Sequence, residues 1–360
     1  PPEGGSVRLT LLPEAQQAAY DGLAGRAGAA VAIDPRTGAI LAMVSRPSFD
    51  PNPLANPDAE VQEAAWTALE TDQAEPALNR AIARTYPPGS VFKLVTAAAA
   101  LESGEYAPET TVPGPAELPL PGSTSVLTNQ SGGACGPDDQ TTLTDALRIS
   151  CNTAFAAIGL DLGDDVVRAQ AEAFGYNAAP LPDYNAATSV FPENLDPAQT
   201  AQAAIGQVDV RATALQTAMV SAAIANDGTL MTPYLIAEAL APDLAPVDVT
   251  EPTEQSQAVS RQTARDLTQM MVEVVDTGTG TNATIPGVTV AGKTGTAERG
   301  EADLPIAWFT SFAPAQSPQV AVAVVVEDAG GDGDISGGRL AAPVARDVMQ
   351  AVLLREGAQP

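Results

Sequence analysis

The strongest constraint on this chain is the position of its β-type segments, which lie at the two ends and bracket a long helical pattern. Near the start, GAAVAIDPRTGAILAMVS reads as a hairpin. Its apolar strands, Ala29–Ile33 and Ala39–Val44, are joined by Asp34-Pro35-Arg36-Thr37-Gly38, a turn composition. Strand character returns late, in Val288–Gly292, Trp308–Phe312 and Val320–Glu327. Short loops join these late strands, so they are expected to run antiparallel, with the early hairpin completing the same sheet. Before the hairpin, a short strand and a helix over Pro13–Leu23 are expected, with Pro in the first turn and Gly after the last. Ala341–Leu354 reads as a closing helix.

Between the two groups of strands, helices dominate from about Asp58 to Asp276, interrupted by Pro/Gly-rich loops at 105–140 and 176–197. Ser45–Pro57 reads as an ordered loop, and the acidic, Pro-rich stretch at 241–254 as a surface excursion. The expected fold is α/β in the α+β sense: an antiparallel five-stranded sheet flanked by helices, with an inserted all-helical subdomain. The sheet part would come from about 1–57 and 277–360, the helical part mainly from 58–276. At 360 residues and 45% apolar content the chain can bury a substantial core. No run approaches the ~18 to 20 apolar residues that cross a bilayer, and PPEGGSVRLT lacks the layout of a signal peptide.

Charge and composition then remove whole classes of function. A net charge of −27 argues against a nucleic-acid groove and against attraction to anionic membranes. Histidine is absent, which eliminates Ser-His-Asp and Cys-His catalysis, H-E-x-x-H zinc sites and imidazole-ligated metals. Acid–base chemistry is left to Lys, Asp, Glu, Tyr or Cys. Of the 17 basic residues all but Lys93 and Lys293 are arginine. Lysine can lose its proton and arginine cannot, so these two positions are the ones to inspect.

TYPPGSVFKLVTAAAALESG places Ser90 at or near a helix N-terminus and Lys93 one turn along on the same face. Val91, Phe92, Leu94 and Val95 would bury the amine and lower its pKa, which makes a serine nucleophile with a lysine base. The same spacing also suits an N-cap serine followed by a snorkelling lysine. In ALRISCNTAF, Ser150 and Asn152 can project together into a cleft while Cys151 faces elsewhere, or either can cap a helix over Thr153–Leu160. In VTVAGKTGTAE, Lys293-Thr294-Gly295-Thr296 ends a strand. Alternation puts Lys293 beside Gly295, whose missing side chain would leave room for a substrate backbone. A glycine-rich turn is the plainer reading, and P-loop spacing is absent.

S-x-x-K, S-x-N and K-T-G in this order resemble the penicillin-binding protein and serine β-lactamase superfamily. The resemblance extends over AVAIDPRTGAILAMVSRPSFDPN, AIGQVDVRATALQTAMVSAAIANDGTL, AWFTSFAP and GGRLAAPVARDVM, so it spans about Val7 to Leu353. It is similar to the monofunctional class B type found in actinobacteria. Cys151 departs from the serine frequent at the middle position of S-x-N. The resemblance implies the penicillin-binding transpeptidase/β-lactamase-like fold over 1–360, with an anchor and a non-catalytic domain upstream in the native protein.

The family roles carry over residue by residue. Ser90 would attack the penultimate D-Ala carbonyl of a stem peptide, or a β-lactam ring, with Lys93 as base. Ser150 would relay a proton near Lys293, Asn152 would hold the substrate amide, and Thr294 and Thr296 its carboxylate. The Ser90 and Thr296 N–H groups would form an oxyanion hole, worth ~3 kcal/mol per donor. The implied reaction is D,D-transpeptidation at the extracytoplasmic face of the cell membrane, without metal or organic cofactor. Donor and acceptor stem peptides, β-lactams and a membrane glycan polymerase are the implied partners. A D,D-carboxypeptidase, a β-lactamase or a non-enzymatic β-lactam sensor shares the same motifs.

Outside the membrane disulfides persist, so Cys135 and Cys151, the chain's two cysteines, are expected to be bonded; two unpaired thiols are the alternative. A β-lactamase also needs a carboxylate positioned to activate water. The nearest candidates, Asp145 and Glu298, read as a helix-start residue and a solvated post-strand carboxylate. The acyl-enzyme is therefore expected to persist.

Overall fold

The computed structural model describes residues 4–297, 305–327 and 336–356. Its centre is a five-stranded sheet of β1 (Gly28–Ile33), β2 (Ile40–Arg46), β3 (Ala291–Ala297), β4 (Ile306–Ala313) and β5 (Val320–Val326). The spatial order is β3-β4-β5-β1-β2, antiparallel throughout. The chain's two ends therefore meet where β5 pairs with β1, as the distribution of strand signals requires. Every residue of β1 and β5 is buried, because both faces of the sheet are covered.

The helices that matter for the site are α1 (Pro13–Gly22), α2 (Lys93–Glu102), α3 (Leu143–Arg148), α4 (Asn152–Leu162), α5 (Ala214–Ala225), α6 (Arg261–Asp276) and α7 (Ala342–Glu356). One core joins Ala30, Ala32, Phe309, Val322 and Val324 to residues of the terminal helices α1 and α7, including Ala15, Ala19, Val348 and Met349. The alternate residues Ala29, Val31, Trp308 and Val325 join the larger core shared with the helical middle. There α5 lies against the sheet, its small residues allowing close approach, and Ser221 Oγ sits 2.6 Å from Thr310 Oγ1.

Three local readings change. The strand expected at Val288–Gly292 begins at Ala291, because Ile285 and Val288 first close a bridge around the turn at Gly287. Lys293–Thr296 consequently lies inside β3 rather than at its end, in register with Thr310–Ala307 of β4. The inserted region is not all-helical. It carries short pairs, Thr111–Pro113 with Gln140–Thr142, Glu117–Pro119 with Val126–Thr128, and Thr229–Met231 with Glu254–Gln257. The excursion after residue 240 contains Pro246–Val249, which pairs with Ile236–Leu240, and that strand pairs in turn with Ser6–Leu9. Strands of three to five residues rich in Pro, Thr and Glu carry too little alternation to be read from sequence.

A buried ionic cluster anchors the segment leading to Ser90 onto the end of β5. Arg80 Nε donates to Glu327 Oε1 at 2.9 Å, and the Tyr86 hydroxyl donates to the same oxygen at 2.5 Å. Arg80 also reaches Glu75 O at 2.8 Å and Ala74 O at 2.7 Å. Burial and Glu327 push the Tyr86 phenol up, so it remains a donor. Removing one partner strands the other charge in the interior, which typically costs about 3–5 kcal/mol. Glu327→Ala is expected to lose about that much in urea unfolding, with Arg80→Met/Glu327→Leu recovering most of it.

Candidate active site

Gly89–Phe92 forms a tight 3₁₀ turn that passes directly into α2, so Ser90 stands just ahead of that helix with Lys93 as its first residue. The turn is pressed onto β3. Gly89 has φ +53, and a Cβ there would lie 2.6 Å from Thr296 O. Its N–H donates to Gly206 O at 2.9 Å, and Trp308 Nε1 donates to Pro87 O at 3.0 Å. A Cβ on Gly295 would meet Val91 Cγ1 at 3.0 Å and Pro88 O at 3.2 Å. The bare side of Gly295 therefore receives the serine turn, not a substrate backbone as its side-chain-free position suggested.

Both lysines are completely buried and converge on Ser150. Lys93 Nζ donates to Ser150 O and to Asn152 Oδ1, each at 2.7 Å, and lies 3.3 Å from Ser150 Oγ. Lys293 Nζ donates to Ser150 Oγ at 2.9 Å and to Thr294 O at 3.0 Å. Lys93 stands one turn along from Ser90, as the i,i+3 spacing requires, and its hydrogen bonds run to the second motif. Burial, and then the nearby charge of Lys293, hold the Lys93 amine well below its ordinary 10.5. Burial lowers Lys293 to about 7. A neutral Lys93 amine uses two N–H groups on its two 2.7 Å acceptors and keeps a lone pair that can take a proton.

Ser150 holds its place through a left-handed backbone, φ +62, between α3 and α4. Ser150 and Asn152 do project together while Cys151 turns away into a disulfide with Cys135, 16 residues earlier. The cap of α4 comes from neither Ser150 nor Asn152. Cys151 is its N-cap, Sγ accepting from the Ala154 N–H at 3.4 Å, and the buried Asn129 adds acceptance at Oδ1 from the N–H groups of Asn152 (2.9 Å) and Thr153 (3.0 Å). Asn129 Nδ2 donates to Pro115 O and Gly133 O, both at 2.9 Å, so one carboxamide pins the disulfide-bearing loop to the motif.

Two recesses meet at Ser90, Gln130 and Thr296. One, of about 270 Å³, also includes Ser150, Thr279, Thr294 and Gly295; the other, of about 400 Å³, extends past Asn152, Gln202, Gln207 and Val208. Thr294 Oγ1 lies 2.6 Å from Thr279 Oγ1. All eight residues singled out in the three motifs thus gather around one cleft. Asn129, Gln130 and Thr279 were missed because nothing local marks them; only the fold brings them to the motifs. Among the described residues, no Asp or Glu lines either recess. Asp145 is a helix-start residue, its N–H held by Thr142 Oγ1 and its carboxylate by Arg148. Glu298 lies outside the described residues.

A serine at the head of a buried helix, two desolvated amines and a capped S-x-N turn beside a sheet-edge strand define a serine acyl-transfer domain. The penicillin binding protein transpeptidase domain family matches residues 28–350, and the chain belongs to that family. It is 46% identical to the peptidoglycan D,D-transpeptidase PbpA of Mycolicibacterium smegmatis over 99% of this chain and 74% of that protein. Among solved structures, penicillin-binding protein A of M. tuberculosis superposes with a TM-score of 0.94 as its ceftriaxone acyl-enzyme, at 44% identity, covering 98% of this chain and 81% of that one. The penicillin G acyl-enzyme of the same protein gives a TM-score of 0.93 at 43% identity, with the same coverage of each chain.

Because the positive charge of Lys293 helps to depress Lys93, Lys293→Gln is expected to raise the Lys93 pKa. Acylation by a fluorescent penicillin should rise with pH as the base loses its proton, and its half-maximal pH should move upward in this variant; a downward move would contradict the coupling. The disulfide closes a short loop, for which the chain-entropy estimate is ~3 kcal/mol. Cys135→Ser/Cys151→Ser should lose about that much stability in urea.

Proposed function

We propose that this chain is a serine-type peptidoglycan D,D-transpeptidase domain that cross-links stem peptides through an acyl-enzyme on Ser90. The observation that carries the reading is the convergence of two buried amines on Ser150, beside a serine lodged against β3. Neutral Lys93 takes the Ser90 proton as Oγ attacks the penultimate D-Ala carbonyl. The resulting oxyanion is held by the Ser90 and Thr296 N–H groups. Collapse breaks the peptide bond, and the proton passes through Ser150, held by Lys293, to the departing D-Ala amine. Asn152 orients the substrate amide, and Thr294 and Thr296 receive its terminal carboxylate along β3. An acceptor amine then attacks the ester, forms the cross-link and releases Ser90.

A β-lactam follows the same first step, but its amine remains tethered and blocks the acceptor. The lack of Asp or Glu in the recesses among the described residues favours transpeptidation over lactamase or carboxypeptidase activity, both of which need an activated water. The disulfide is in keeping with an oxidising compartment and supports action at the extracytoplasmic face of the membrane, where a glycan polymerase would supply the strands.

Ser90→Ala is expected to abolish labelling by a fluorescent penicillin while leaving the fold intact. Lys93→Arg should be almost as damaging, because arginine does not accept the proton. In the unmodified protein, labelling should be stoichiometric and survive for minutes to hours. Penicillin turnover above ~1 s⁻¹, an ordinary enzymatic rate, would instead assign a β-lactamase.

A further inference from the structure

We propose that an arginine-lined cleft towards the β2 edge of the sheet binds a small phosphate-type oxyanion. The cleft, of about 460 Å³, lies where the approach to β1, the end of β2 and the end of β5 meet the segment 73–84. Arg26, Arg46, Arg80 and Arg84 line it, against the carboxylates of Glu75 and Glu327. Four guanidinium groups around one cavity form a local excess of positive charge on a chain whose net charge is −27.

The two carboxylates are already engaged. Glu327 accepts from Arg80 and Tyr86 and has Arg84 at 3.7 Å, while Glu75 pairs with Arg84 at 2.6 Å. The other terminal nitrogens of Arg80 are consumed by backbone carbonyls, which makes Arg80 a structural anchor. That role does not extend to Arg26 and Arg46. Among the described residues neither makes an ion pair with a carboxylate. Arg46 instead lies 4.1 Å from the centroid of the Tyr20 ring, which holds its plane while leaving its edge donors for a ligand. Arg26 is exposed at the cleft.

Ligand class follows from geometry and screening. Planar guanidinium forks recognise oxyanions bidentately, and a phosphate group offers enough oxygens to engage more than one fork. An anionic bilayer would face the repulsion of the whole domain. At physiological salt, fields decay over ~8 Å, so a small ion entering the cleft responds mainly to the local arginines. Free phosphate and a pyrophosphate pendant from a carrier share this chemistry. The cleft shares no lining residue with the two recesses at Ser90, and the inference stands apart from the reading of Ser90.

The test is calorimetric titration at low salt with inorganic phosphate and with inorganic pyrophosphate. It compares the unmodified protein, Arg26→Gln/Arg46→Gln, and Arg261→Gln/Arg265→Gln, which removes the same charge from α6. Penicillin labelling at Ser90 verifies that both variants are folded. The unmodified protein is expected to bind one equivalent with a dissociation constant of about 1 mM or tighter. The cleft variant should weaken this at least about tenfold, and the α6 variant should not. Tighter pyrophosphate binding would identify the pendant source, and equal binding the free ion. No binding at about 10 mM, unchanged binding in the cleft variant, or an equal loss in the α6 variant would overturn the proposal.

Discussion

Two ammonium-forming side chains, buried without a carboxylate partner among the described residues, are the constraint around which this site is built. An isolated buried charge is prohibitively costly, and the protein answers by shifting the amines toward neutrality and giving their N–H groups fixed acceptors. The left-handed Ser150, the Asn152 carboxamide and the Thr294 carbonyl supply those acceptors. The nucleophile, the S-x-N turn and β3 are therefore held in one arrangement by the need to satisfy the two lysines.

That arrangement rests on a scaffold which closes the chain on itself. The ends pair through β1 and β5, the terminal helices cover one face, and α5 covers the other. Packing at the site is so close that side chains are excluded where elements cross: the serine turn and β3 meet through Gly89 and Gly295. Trp308 links the halves, its ring edge-on to Tyr86 at 5.9 Å between centroids and its indole N–H on Pro87 O. Tyr86 in turn reaches Glu327 at the end of β5. The segment that presents Ser90 is thus supported from both sides of the site.

The disulfide and Asn129 do for the second motif what the glycines do for the first. Loop residues 129–136 carry no helix or strand of their own, yet their carboxamide and cysteine hold the start of α4 in place. Gln130 is carried to the cleft on this loop. Cys151, the departure from the usual serine in S-x-N, is one half of the covalent tie.

The sequence by itself determined the chemistry and the gross plan. Two lysines in a chain that otherwise uses arginine, the absence of histidine, three short motifs and the strands at both ends are local or compositional facts that survive without coordinates. Tertiary structure decided the rest. That Lys93 clasps Ser150 and Asn152, that Gly295 receives the serine turn, and that Asn129 from another segment holds the first N–H groups of α4 all depend on contacts between residues distant in sequence. The start of β3 was misplaced because strand register is set by pairing with β4, while Val288 and Val290 are equally β-branched in the lead-in. Likewise four arginines scattered from 26 to 84 carry no pattern along the chain; the ends of β2 and β5 bring them to one cavity. Local propensity and side-chain chemistry are properties of neighbours in sequence, whereas register, burial and charge pairing are properties of neighbours in space.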